Sequence, residues 1–485
     1  MRKLFFIIIV LIFTSQITAQ QNIKGKDVDA IVLREIHERN IPGLQIAVVH
    51  HGKIALSKSY GIANMQDSIA VTNKSVFALN SITKVFTSVS VMQLVEKGKL
   101  DLSLPVSHYL DIFPKNWDAS ITIKHLLTHT SGLPDLLKIL DPNTGGIGIL
   151  KTEDAVWEKL KTMPMDFIPG EKFTYNQTNA YLLGKLIDKF SERPFAENFA
   201  DLQFKPAEMK HTVFGDSRDV IPHFAPTYFW RKNVDGRSLE NALLINNYYE
   251  FPYFRRAAAG LNSTAEDMAN WVIALLGGKL LHSSFSLETM WSPSVFNNGK
   301  TTQWSLGWGM NKFRKKHRAV GMSGGGRSAF LIYPDDDLAI IILTNLGGSY
   351  PEDFLEELAG VYDPSIPKAD PITNLRTTLR KIGFENAIPF SEKEIKNNPL
   401  FIPNEFEFNE WAYRMMTKGQ NKEALEILKL NAYLFPESWN AFDSYGEILL
   451  KTGDEKKAIE MYKKSIELNP NNENGKKIVA SLHSK

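Results

Sequence analysis

Apolar residues recur along this chain in two rhythms. In residues 26–40, Val28, Ile31, Val32 and Ile36 share one helix face, which predicts an amphipathic helix that ends at Pro42-Gly43. Residues 44–49 and 54–60 are strand-like, and His50-His51-Gly52-Lys53 joins them as a hairpin. Residues 85–96 are rich in Val, Met, Leu and Phe and meet no Gly or Pro before Gly98. Apolar on most faces, they predict a buried helix. Further helices are expected at 181–190 and 268–276, the second opened by a capping box of Ser263 and Glu266. Residues 328–333 and 338–343 predict antiparallel strands about the turn Pro334-Asp335-Asp336-Asp337. The second strand does not alternate, so burial on both faces is expected. A last helix of this part is expected over 352–358.

Beyond it the pattern changes. Pro364, Pro367 and Pro371 mark residues 363–372 as a linker, and 374–398 as polar and helical. A repeat follows, in which Gly419, Ala424 and Pro436 return as Gly453, Ala458 and Pro470. With Trp439, Tyr445-Gly446 and Tyr462, this spacing fits the tetratricopeptide pattern of two antiparallel helices. The unit at about 404–437 is degenerate, the unit at about 438–471 is clear, and a capping helix is expected from Glu473 to His483.

Composition narrows the class. A chain of 485 residues is too long for one ordinary domain. Its formal charge is +2, and removal of Met1 to Ala19, which carry Arg2 and Lys3 and no acid, brings it near zero. That balance gives no support to a nucleic-acid surface. With no Cys there are no disulfides, thiolate metal sites or Cys nucleophile. Those first residues have a basic start, a short apolar run and a polar end, the form of a secretory signal cleaved after Ala19. The apolar run is short of the roughly twenty residues needed to span a bilayer. An exported protein, periplasmic or secreted and without a stable membrane anchor, is expected.

Three stretches carry candidate chemistry. In Ala78-Leu79-Asn80-Ser81-Ile82-Thr83-Lys84, Ser81 and Lys84 stand three apart at the entrance to the buried helix, so hydroxyl and amine share a face. The turn also supplies an unpaired amide, and a serine nucleophile needs both a base and oxyanion donors. The second stretch is Pro169-Gly170-Glu171-Lys172-Phe173-Thr174-Tyr175-Asn176-Gln177, a turn followed by an aromatic and amides at a helix entrance. The third is Gly321-Met322-Ser323-Gly324-Gly325-Gly326-Arg327, whose glycines mark close approach by a ligand or by another backbone. His125 and His129 are four apart but have no third ligand nearby, and His50-His51 reads as a polar turn. No metal or organic cofactor is implied.

Together these stretches resemble the serine β-lactamase and penicillin-binding superfamily, in the branch of class C β-lactamases, D-stereospecific peptidases and esterases. The resemblance spans about residues 26–362. It includes Ser81-Ile82-Thr83-Lys84, His125-Leu126-Leu127-Thr128-His129-Thr130-Ser131-Gly132-Leu133, Pro169-Gly170-Glu171, Tyr175 and the glycine-rich strand. It implies an α+β fold: an antiparallel sheet flanked by helices, with a mostly helical domain inserted and the site in the cleft between. The organisation expected is a signal at 1–19, a hydrolase domain at 26–362, a linker with a helix at 363–400 and a tetratricopeptide segment at 401–485. The resemblance further implies that Ser81 attacks a carbonyl to form an acyl-enzyme. Lys84 takes the serine proton, or holds Tyr175 as the phenolate that does. The amides of Ser81 and Gly325 form the oxyanion hole. Gln177, Met322, Ser323, Gly324, Gly325 and Arg327 line the substrate site.

Two positions depart from the pattern. Tyr175-Asn176-Gln177 has Gln where the family has Asn, and Met322 stands where it has Lys or His. Met offers neither charge nor a hydrogen bond to a substrate carboxylate; Arg327 is a candidate for that role, against the plainer reading of a solvated arginine at the surface. The partners implied are a small-molecule or peptide substrate and, for the repeats, a protein. The competing reading is a binding protein with a disabled site, acting through its repeats. The intact Ser81, Lys84 and Tyr175 favour the enzyme.

Overall fold

The computed structural model describes residues 24–139, 152–234 and 237–483. The segment read as a secretory signal lies outside them. Two compact units divide between Leu355 and Glu356.

The first unit is built on a six-stranded antiparallel sheet. Its strands are β1 (Gly43–His50), β2 (Lys53–Asn64), β3 (Ile69–Ala70), β4 (Val320–Gly324), β5 (Ser328–Tyr333) and β6 (Leu338–Thr344). Their order across the sheet is β3-β2-β1-β6-β5-β4, so the earlier and later strands of this unit meet at β1 and β6. Both central strands are buried along nearly their whole length, as the unbroken apolar run of residues 338–343 requires. Between these two parts of the sheet the regular structure of the described residues is mainly helical, with two small antiparallel sheets.

Helix α1 covers residues 24–39, and α2 is Thr83–Glu96. Residues 83–94 of α2 are buried without exception. Phe86 packs on Trp271, ring centroids 4.4 Å apart, and Trp271 and Trp308 both meet Phe330 of β5. Buried side-chain donors of α2 find backbone acceptors. Thr87 donates to the Ala257 carbonyl, Ser88 to that of Leu306, and Gln93 to that of Leu280. A helix buried on all faces carries such residues because most of their hydrogen-bonding groups are paired, Gln93 Oε1 being an exception. Helices α3 (Gln177–Ser191), α4 (Tyr253–Ala259) and α5 (Ala265–Leu276) complete the frame used below.

The N-cap of α5 differs from expectation. Thr264, not Ser263, accepts from the Asp267 amide. Ser263 ends a short strand, Leu261–Ser263, and shares a hydrogen bond with Thr212. Strand pairing with Phe77–Ala78 shifts the helix start by one residue.

In the second unit, residues 363–372 are not a linker. Pro367 and Pro371 stand in the first turns of helices Ile366–Ala369 and Pro371–Ile382, where a missing N–H costs nothing. Helix Ala387–Asn397 follows, then the paired helices Glu405–Thr417 with Asn421–Leu434 and Trp439–Thr452 with Glu455–Leu468, and the closing helix Glu473–His483. The repeated residues have repeated work. Gly419 and Gly453 take positive φ at helix ends, and Ala424 and Ala458 are fully buried. Ile372, Leu375 and Leu379 share one core with Trp411, Ile427 and Ile448, so helix Pro371–Ile382 supplies cover that two repeats alone would lack.

Candidate active site

Ser81 does not lie in α2 itself. It occupies a short 3-10 turn, Asn80–Ile82, just ahead of it, and Asn80 has φ +48°. Left-handed backbone is uncommon outside glycine and points to strain at a site. The turn is clamped. Leu79 donates its amide to the Leu261 carbonyl, while Thr83 Oγ1 donates to the Asn80 carbonyl and accepts from the Leu261 amide. From the sheet side, Gly324 closes in. A Cβ there would collide with the Leu79 carbonyl and lie 3.2 Å from the Ser81 amide nitrogen. Glycine is therefore required for β4 to meet the Ser81 turn.

Around the half-buried Ser81 hydroxyl the expected partners come together. Tyr175 Oη donates to Ser81 Oγ at 2.8 Å, and Lys84 Nζ to the same oxygen at 3.4 Å. Lys84 also donates to Gln177 Oε1 at 3.1 Å and to the Ala258 carbonyl at 2.9 Å, and stands 4.8 Å from the centre of the Tyr175 ring. Three acceptors thus meet the three hydrogens of an ammonium group. Neither the Ser81 amide nor the Gly325 amide has an acceptor among the described residues. Both are available to a ligand oxygen.

Tyr175 owes its position to segments read as structural. Thr174 donates its amide to the His129 carbonyl, and Gly170 donates to that of Thr130. The His129 ring lies 4.7 Å from that of Tyr175, and its Nδ1 accepts from the Asn176 amide and pairs with the Asn179 side chain. Complete burial holds its pKa well below the ordinary histidine value, so the ring is neutral. His125 forms a capping box with Thr122. Asn176 caps α3, accepting from the amides of Thr178 and Asn179, which leaves Gln177 as the amide that reaches Lys84.

Met322 is buried and belongs to the core, on the same face of β4 as Gly324, which packs on the Ser81 turn. Ser323 is half-buried on the opposite face. Arg327 is buried behind the glycine turn, not at the surface.

Several neighbours were not legible in the sequence. Trp304 sits edge-on to His129 at 4.9 Å and 5.5 Å from both Phe173 and Tyr175. Asp135 accepts from the Gln177 and Leu137 amides, and burial pushes its carboxyl up despite nearby Lys84. Arg255 is pushed down by burial, with Asp135 opposing the shift. No sequence motif marks Trp304, Asp135 or Arg255, because each arrives from a separate loop or helix.

A serine held against a phenol and an ammonium, with two idle amides beside it, has the parts for acyl transfer. The Beta-lactamase family model matches residues 28–360. This chain belongs to the Beta-lactamase family. A Tetratricopeptide repeat model matches residues 440–472. Among similar proteins are "Protein flp" of Staphylococcus aureus (strain MW2), 25% identical over 341 residues, and "Penicillin-binding protein 4*" of Bacillus subtilis (strain 168), 31% identical over 302 residues. The alignments take in 70% and 61% of this chain, and the chain spans 66% of the length of each relative. Among solved structures, the octameric penicillin-binding protein homologue from Pyrococcus abyssi superimposes with a TM-score of 0.60 at 24% identity, over 74% of this chain and 81% of that one. A penicillin-binding protein from Bacillus halodurans gives 0.56 at 23%, over 68% and 98%. These likenesses establish the α+β fold with its antiparallel sheet, followed by a helical repeat segment.

Proposed function

We propose that this protein is an exported serine hydrolase, of the class C β-lactamase-like type, that forms an acyl-enzyme on Ser81 and prefers neutral esters or amides. The observation that carries the reading is the 2.8 Å contact of Tyr175 with Ser81, made beside an ammonium that is itself fully bonded. In the proposed reaction the Tyr175–Ser81 hydrogen bond reverses: Tyr175, having given up its own proton to solvent, accepts the Ser81 proton as Oγ attacks the carbonyl carbon. Lys84 Nζ, on Ser81 Oγ and 4.8 Å from the centre of the Tyr175 ring, holds the two oxygens in place. The carbonyl oxygen, now an anion, accepts from the amides of Ser81 and Gly325. Collapse breaks the bond to the leaving group, which takes the proton from Tyr175. Water then repeats the sequence and frees the acyl product and Ser81. The same contact favours catalysis over a purely binding role, and the tetratricopeptide repeats are proposed to recruit a protein partner.

Substrate preference follows from Met322. A lysine there would offer a charge-assisted hydrogen bond, worth about 1.5–3 kcal/mol, to a substrate carboxylate. Met322, buried in the core on the face of β4 that meets the Ser81 turn, supplies neither charge nor hydrogen bond. Intact-mass spectrometry after incubation with esters, D-peptides and penicillins tests the nucleophile: the parent should gain an acyl mass and Ser81→Ala should not. The ratio of kcat/KM for a cephalosporin to that for a neutral ester should be low in the parent and rise in Met322→Lys. Acylation that survives Ser81→Ala, or a parent that already prefers the cephalosporin, would overturn the reading.

A further inference from the structure

Behind Gly325 lies a buried cation with no carboxylate on it. Arg327 is 5% exposed and makes no ion pair with an acid among the described residues. Asn247, with its amide oxygen toward the guanidinium, accepts from Nη2 at 3.0 Å and Nη1 at 3.1 Å. Phe229 lies 5.5 Å beneath the guanidinium carbon. Arg327 Nε is buried without a hydrogen-bond partner, and so is Nδ2 of Asn80, the left-handed residue just before the nucleophile. Both point at Gly325: a Cβ there would lie 3.3 Å from Arg327 Nε and 2.8 Å from Asn80 Nδ2. Covalent geometry then puts Nε within about 6 Å of the Gly325 amide nitrogen. Burial pushes the Arg327 pKa down to about 10, which still leaves a cation at neutral pH. Tyr249, whose hydroxyl is likewise unpartnered, is pushed up to about 12, so it stays a neutral phenol and does not cancel the charge.

A buried, unneutralised arginine costs stability, so its charge calls for a use. A substrate cannot reach Nε, which is sealed from solvent. An oxyanion on the Gly325 amide would nevertheless feel it through a low-dielectric layer one residue thick. We propose that Arg327 is a positioning residue for the oxyanion hole: its charge, held unpaired by Asn247, acts through the Gly325 peptide to stabilise the negative oxygen formed when Ser81 is acylated. This rests on the serine hydrolase reading above. It replaces a direct contact of Arg327 with a substrate carboxylate, and it explains why the arginine faces an amide and not an acid. A unit charge about 6–8 Å from the oxyanion, at an effective dielectric near 20, is worth about ten- to a hundredfold in rate.

The test uses the full chain, a fluorophosphonate probe, and turnover of a neutral ester and of an ester bearing a carboxylate. Arg327→Gln should lower kcat about ten- to a hundredfold on both esters with KM changed less than about twofold, and Arg327→Lys should restore most of it. Asn247→Asp is the sharper variant, and it carries the test if Arg327→Gln does not fold. It keeps the shape of the site but places a carboxylate on the guanidinium. It should therefore slow acylation while the melting temperature stays level or rises, a combination that a merely structural role would not produce. An Asn247→Asp protein with parental kcat would overturn the proposal. So would a loss confined to the carboxylate-bearing ester, which would make Arg327 a substrate contact. A parent that the fluorophosphonate does not label would sink the hydrolase reading itself. A labelled parent with an unaffected Asn247→Asp would sink this inference alone.

Discussion

At the scale of single residues, the site depends on burial that fixes protonation. His129 is fully enclosed against Tyr175 and Trp304, and it accepts from the Asn176 amide only while its Nδ1 is unprotonated. Its folded pKa is depressed, so the unfolded chain takes up a proton first as pH falls. Stability from this group is therefore fully present above about pH 6.5 and is lost as pH drops below it. The melting temperature should fall between about pH 6.5 and 5, and His129→Gln, which keeps an acceptor but cannot titrate, should flatten that part of the curve. Thermal melts of the two proteins across this range check it. An equal slope in both would show that another group titrates. Gln177 illustrates a second residue-scale point: with Asn176 committed to the helix cap, the longer amide is the one that reaches Lys84.

At the scale of elements, the nucleophile is placed by a collision narrowly avoided. β4 approaches the Asn80–Ile82 turn so closely that Gly324 leaves no space for a methyl group against the Leu79 carbonyl. Gly324→Ala must push strand and turn apart, which moves the Ser81 amide away from that of Gly325. A misplacement near 1 Å can cost about a hundredfold in rate. We expect acylation to drop by at least that factor, with destabilisation of about 1–3 kcal/mol from overpacking. Probe labelling and a denaturant melt measure both. The prolines of residues 363–372 make the complementary case. Their composition reads as a linker, yet at a helix's first turn proline's fixed φ and absent N–H are both tolerated.

At the scale of the molecule, two units carry separate cores. In the repeat unit Gly446 faces the ring of Tyr462, where a Cβ would lie 2.9 Å from ring carbons. Both residues are buried between helices Trp439–Thr452 and Glu455–Leu468. Gly446→Leu should prise that pair apart and lower the melting of the repeat unit. Hydrolysis of a neutral ester should be retained, because every group placed at Ser81 comes from the first unit. Calorimetry together with ester turnover checks this. Loss of both in step would show that the repeats help to shape the active site.

The sequence by itself determined what depends on neighbours along the chain. The buried helix after Ser81, the pairing of Ser81 with Lys84 on one face, the antiparallel strands and the 34-residue rhythm of Gly419, Ala424 and their repeats all follow from local spacing. The family pattern added Tyr175 and the glycine strand, separated from Ser81 by 94 residues in the first case. Tertiary structure alone decided the rest. It set Trp304 and Asp135 beside the site, made Thr264 the cap in place of Ser263, and turned Arg327 from an expected surface contact into a buried charge behind Gly325. The physical reason is common to all of these. Periodicity reports which face of an element is buried, whereas the partner of a buried polar group is chosen by elements that meet only when the sheet closes between β1 and β6.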